Sequence, residues 1–267
     1  MRDRMERRIG RLLSLSLGLA MGMALSGCGS PQDDAPTPPK ETTEGDWAAT
    51  PRINSVLPQP SGGALVRGVA VPGARVVLSG KEGPAVAVSA DAQGLFELQV
   101  AATSIGGLLT PEIQIGQDTT PGPQQLLITG EDERLAVLLT QGGASLRLTP
   151  GPVLDVLDGD GRGLVASGRT KPGRQIVLRA GGGQAEAVAD RTGRWTIVVP
   201  IIGDQAAVLQ VDGRDFHYPG PGQPSDRAER AGQGWRITRQ LSGAARQTSW
   251  LPDAGTDLAR ETALTTR

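Results

Sequence analysis

The sequence predicts an all-β protein whose folded part is two β-sandwich modules in tandem. Three observations predict it. Glycine and proline are abundant, 38 and 20 of 267 residues, and interrupt the chain every few positions. That spacing favours short strands joined by turns over long helices. The segments between them alternate apolar and polar residues with period two, which puts one strand face on a core and the other toward water. A strand-and-turn pattern of about 37 residues also occurs twice, about 100 residues apart.

The N-terminus is a different kind of segment. Arg2, Arg4, Arg7, Arg8 and Arg11 face only Asp3 and Glu6, and an uncharged run of 14 residues follows from Leu12 to Leu25. A positive flank before a short apolar run is the physical profile of a signal peptide. At a rise of ~1.5 Å per residue the run is too short to span a ~30 Å hydrocarbon core comfortably. It ends in Leu25-Ser26-Gly27-Cys28. This tetrad resembles the lipobox of bacterial lipoproteins: an aliphatic residue, two small residues and a cysteine. The resemblance implies cleavage between Gly27 and Cys28, diacylglyceryl modification of the Cys28 thiol, and acylation of the new amino group. Cys28 is the only cysteine, so no intramolecular disulfide can form. Gly29 follows it, where Asp commonly retains such proteins at the inner membrane; the resemblance therefore implies the outer membrane of a cell envelope.

Residues 29 to 50 are rich in Pro, Thr, Asp and Glu. They have little to bury and read as a disordered linker, biased by proline toward extension. These 22 residues reach at most roughly 70 Å at ~3.1 Å each. Trp47 is their one aromatic and reads as the start of the first module's packing. The resulting division is a signal peptide over 1–27, lipidated cysteine and linker over 28–50, sandwiches over 51–149 and 150–254, and a disordered tail over 255–267.

Composition narrows the function classes. Residues 1–27 carry five basic and two acidic residues, so the rest of the chain holds 22 basic and 26 acidic residues, a net charge of −4. That lacks the basic footprint of a nucleic-acid-binding protein. Beyond the N-terminal run, no stretch is long and apolar enough to cross a membrane as a helix.

In the repeat, Gly68, Pro72, Gly73, Val77 and Leu78 match Gly168, Pro172, Gly173, Val177 and Leu178. After a one-residue deletion, Asp91, Gly94 and Val100 match Asp190, Gly193 and Val199. Pro-Gly suits a type II turn, where proline presets φ and glycine accepts a positive φ. The strands that follow put Val76 and Leu78, or Ile176 and Leu178, on one face. Asp-x-x-Gly suits a tight hairpin. The next strands place Phe96, Leu98 and Val100, or Trp195, Ile197 and Val199, inward. Further strands are expected at 125–129, 134–139, 145–148, 207–211, 235–239 and 247–250. The second copy departs at Pro219–Gln233, a Gly- and Pro-rich loop without a counterpart. The pattern Gly…Pro-Gly…Val-Leu…Asp-x-x-Gly-x-aromatic resembles the immunoglobulin-like modules of bacterial surface proteins. That resemblance implies two tandem immunoglobulin-like β-sandwiches and carries no catalytic residues.

No constellation of catalytic residues stands out. The only histidine, His217, lies in Asp215-Phe-His-Tyr-Pro219, without the partners that a zinc site or a catalytic triad needs. Asp158-Gly-Asp160-Gly-Arg-Gly163 is superficially similar to a calcium loop, but Arg169 stands at the twelfth position where such loops carry glutamate; Asp-Gly reads as a turn. Gly181-Gly-Gly183 is not followed by the Lys-Ser/Thr of a phosphate loop. Aromatic residues are 3% of the chain, few for a sugar-stacking surface. The pair to test for one is Trp235 and Trp250, on neighbouring expected strands. The expected protein is a non-enzymatic envelope lipoprotein, without cofactor or metal. It would meet the membrane through its lipid and an envelope protein through its modules. The competing reading is a polysaccharide- or peptidoglycan-binding lipoprotein, with a hydrolase ranked last.

Overall fold

The computed structural model describes residues 50–60, 62–81, 83–102, 106–129, 135–241 and 243–253. Their secondary structure is nearly all strand, arranged as two immunoglobulin-like sandwiches of antiparallel sheets. Cys28, Gly27, Trp47 and the expected tail over 255–267 lie outside the described residues.

In the first module, β1 (Arg52–Pro58), β2 (Ala64–Val69) and β5 (Leu95–Val100) form a three-stranded sheet in the order β1-β2-β5. The facing sheet contains β3 (Arg75–Gly80), β4 (Val86–Ser89), β6 (Leu108–Ile115), β7 (Asp118–Pro121), β8 (Gln124–Thr129), β9 (Leu135–Thr140) and β10 (Leu146–Arg147). Its order is β10-β9-β8-β6-β3-β4, with β7 on β6. Between the sheets lie Val66, Val76, Leu78, Phe96, Leu98, Val100, Leu126 and Ile128. The period-two reading of β3 and β5 therefore holds: Val76, Leu78, Phe96, Leu98 and Val100 are buried, while Leu95, Glu97 and Gln99 face out.

The second module places β11 (Leu154–Gly159), β12 (Leu164–Arg169), β15 (Arg194–Val198), β18 (Glu229–Arg230), β19 (Gly234–Gln240) and β20 (Arg246–Pro252) in one sheet, ordered β15-β12-β11-β20-β19-β18. The other sheet is β14-β13-β16-β17, from β13 (Gln175–Ala180), β14 (Gly183–Val188), β16 (Ala207–Val211) and β17 (Arg214–Tyr218). Its core includes Leu157, Ile176, Leu178, Trp195, Leu209, Tyr218 and Trp250.

The repeated residues occupy equivalent places for the same reasons. Gly73 and Gly173 both have φ +73°, and the amides of Ala74 and Arg174 donate to the carbonyls of Val71 and Lys171, as a type II turn requires. Gly68 and Gly168 lie under an aromatic ring. A Cβ there would collide with the Arg52 carbonyl and the Phe96 ring, or with the Val153 carbonyl and the Trp195 ring. The Asp91 carboxylate accepts from the amides of Gln93 and Leu95, and Asp190 accepts from those of Thr192 and Arg194. Even the bulges recur, at Ile53/Ser55 and at Leu154/Val156.

Two features depart from the expectation. The Asp-x-x-Gly turns do not make hairpins: β4 pairs with β3 whereas β5 pairs with β2, so the turn carries the chain from one sheet to the other, and β14 and β15 repeat this. Alternation is the same whether a strand folds back on its neighbour or crosses the sandwich, so period alone cannot tell these apart. The copies also differ in their last hairpin. In the first, β8–β9 extends the sheet of β3 and β6; in the second, β19–β20 joins the opposite sheet beside β11.

Candidate functional site

The expected aromatic pair is not brought together. In the β19–β20 ladder Trp235 pairs with Leu251 and Trp250 with Arg236, so the two indoles point to opposite faces of the sheet. Trp250 is buried in the second module's core, edge-on to Tyr218 at 6.0 Å, and its Nε1 donates to the Ala231 carbonyl at 3.0 Å. Trp235 is half-buried on the other face, with the Arg230 guanidinium 5.2 Å from its ring. His217 lies within β17, one residue from its end. It and Asp215 are both on the exposed face, and the Asp215 carboxylate accepts from Gln210. Asp158 and Asp160 do not converge either. Asp160 caps its own turn by accepting from the amides of Arg162 and Gly163, as the turn reading expects, whereas Asp158 belongs to β11 and is buried.

Asp158 leads to the feature that sequence reasoning missed. The two sandwiches are packed face to face, and a third apolar core lies between them. Leu127, Leu135, Val137 and Leu139 of the first module meet Val156, Ile237 and Leu251 of the second. A polar layer completes this seam. The Asp158 carboxylate accepts from the Ser145 amide at 2.7 Å, from the Ser145 hydroxyl at 2.8 Å and from the Ser249 hydroxyl. Arg239 donates to Gln125 Oε1 at 3.1 Å across the seam and to Gln247 Oε1 at 3.2 Å. Gln247 in turn donates to the Thr140 carbonyl at 2.9 Å and accepts from the Gly142 amide at 3.1 Å. Arg147, fully buried, donates to the Pro252 carbonyl at 2.9 Å. Arg169 binds Asp155 and reaches the Thr149 carbonyl.

The electrostatics follow from burial. Desolvation raises the pKa of Asp158, opposed by the hydroxyl and amide donors of Ser249 and Ser145 and by the charge of Arg239. Desolvation likewise raises Asp155 against the pull of Arg169, and lowers Arg239. These groups face one another and fixed backbone atoms. Chemically, the arrangement holds two sheets in register.

The loop over 219–233 that broke the repeat is a strap across the same seam. Gly107 pairs with Arg227, the Leu108 amide donates to the Asp226 carbonyl, and the Ala228 amide donates to the Gly106 carbonyl. The Lys81 ammonium meets the Asp226 carboxylate at 2.7 Å. Beneath that ion pair is a cleft of about 290 Å³ lined by residues that include Ser79, Leu108, Thr110 and Gln125. One sequence signal pointed to the seam: β9 opens with five consecutive apolar residues, Leu135 to Leu139, all buried, as a strand covered on both faces requires.

Neither the protein-family models nor the curated proteins compared with this chain give a match.

Proposed function

We propose that this chain is a lipoprotein of the bacterial cell envelope, lipidated at Cys28 and placed at the outer membrane, whose two-module body is a non-catalytic structural or protein-interaction element. The observation that carries the reading of the body is the seam. Buried carboxylates, arginines and a third apolar core are committed to fixing one sandwich against the other. A body that does not flex between its modules suits a part that must present surfaces in a set orientation from a tethered position. The outer strands β14, β15 and β17 leave sheet edges to which a partner's strand can add. The lipobox-like tetrad and the short apolar run before it support the anchor.

The test is fractionation of host cells expressing the wild type or Cys28→Ala, with mass spectrometry of the N-terminus and crosslinking in the membrane fraction. An acylated Cys28 at the N-terminus, loss of the variant from membranes and a crosslinked envelope protein are expected. An uncleaved chain with an unmodified thiol would refute the anchor. A co-purifying glycan in place of a protein would refute the interaction role and favour polysaccharide binding.

A further inference from the structure

We infer that the end of the body at which the chain arrives from its N-terminal side is an apolar rim that rests on a lipid surface, an inference that builds on the proposed anchoring at Cys28. The described chain begins at Thr50, next to β1. At that end of the first module, apolar side chains in or beside three turns are exposed: Val71 is 37% exposed, Leu95 at the start of β5 54% and Ile115 at the end of β6 48%. The fold does not demand this. At the matching tip of the second module the repeat carries Lys171 for Val71, Arg174 for Ala74, Arg191 for Ala92 and Arg194 for Leu95. The same turns are thus built apolar in one copy and basic in the other.

The seam contacts show which tip of the second module shares the apolar end. Thr140 and Gly142, toward the apolar tip, meet Gln247, whereas Thr149 meets Arg169, beside the basic tip. The second module's basic tip therefore points away, and its opposite tip lies toward the rim. That tip exposes Ile202 (99%), Val198 (72%) and Val208 (52%). Among the described residues, six of the eight large exposed apolar side chains thus lie toward one end; only Leu57 and Val188 do not. Exposed Arg52, Arg75, Arg162 and Arg246 are interspersed there, suited to phosphate headgroups. Of the acids at this end, Asp91 and Asp160 are engaged by their own turns, Asp204 is buried, and Asp118 is exposed.

A tether with a reach of at most roughly 70 Å keeps this rim close to the bilayer. Contacts that bind only weakly from solution then suffice, because the local lipid concentration is high.

The test uses the lipidated chain in phosphatidylethanolamine/phosphatidylglycerol vesicles. With Cys28 acylated, a single introduced cysteine takes an environment-sensitive dye, at Leu95→Cys or Ile202→Cys on the rim, or at Arg191→Cys on the far tip. Quenching by a headgroup-level lipid quencher should be several-fold stronger at 95 and 202 than at 191. Equal quenching at all three would overturn the inference. So would a dye response that needs no lipid and grows with protein concentration, which would assign the rim to a second copy of the chain. On a Cys28→Ala background the same dyes report the rim without the anchor. A weaker response in the same order is expected there, which separates failure of the rim from failure of the anchor.

Discussion

Ile237→Ala tests the seam with a single side chain. Ile237 is 1% exposed and packs in the shared core with Leu127, Val137 and Leu139 of the other module. Truncating a buried isoleucine removes apolar burial and leaves a cavity that closes only in part, a loss of about 2–4 kcal/mol. The same side chain on the outer face of an isolated sandwich would be worth within about 0.5 kcal/mol. With an m-value of about 2–3 kcal/mol/M, the core figure is a fall of about 1 M in the urea midpoint. The assay is equilibrium urea unfolding of the full chain. A double-mutant cycle with Leu139→Ala, on the other module, should show coupling of at least about 0.5 kcal/mol. A midpoint shift of surface size, or strict additivity with Leu139→Ala, would refute the shared core.

Burial raises the folded-state pKa of Asp158 above its ordinary value, so its contribution to stability is fullest below the ordinary carboxylate range and is lost as pH rises through the raised pKa. Asp158→Asn should therefore lose less stability than the wild type between about pH 4 and pH 7, measured as urea midpoints along the pH series; a steeper loss in the variant would contradict this. Gly68→Ala and Gly168→Ala should each destabilise by about 1–3 kcal/mol or more. The second should also change the near-ultraviolet dichroism of Trp195, which the new methyl would meet, and an unchanged spectrum would count against the packing. Lys81→Ala, by contrast, removes an exposed ion pair and should shift stability by less than about 1 kcal/mol, a limit that thermal unfolding can check. Trp250→Ala removes a core indole and should cost about 3–5 kcal/mol, so a loss of glycan binding without loss of stability would show that Trp250 has a role other than packing.

What could be read from the sequence was local. The Pro-Gly turns, the Gly beneath each aromatic and the inward triads Phe96, Leu98, Val100 and Trp195, Ile197, Val199 all express short-range sterics and period two, so each copy reports its own sandwich. The seam was not legible in the same way, because it depends on which sheet the last hairpin joins, and period-two strings do not state that for β8–β9 or for β19–β20. Its signs were weaker. Leu135 to Leu139 break alternation, and Asp158 stands in an apolar strand that Asp-Gly disguised as a turn. The 219–233 loop had no counterpart because its partners, Gly106 to Leu108, lie in the other copy. Trp235 and Trp250 were assigned to the right strands, but the one-residue offset in their ladder pairing puts them on opposite faces.

The claim that the two sandwiches form one body meets its most direct test in urea unfolding followed by two probes on one sample. Trp195, Trp235 and Trp250 all belong to the second module, and β1 to β10 contain no tryptophan. With Trp47→Phe, fluorescence reports the second module alone while far-ultraviolet dichroism reports both. Coincident transitions are predicted, because neither module can unfold without exposing the shared core and its buried charges. Two separated transitions, with fluorescence tracking only one, would contradict the account.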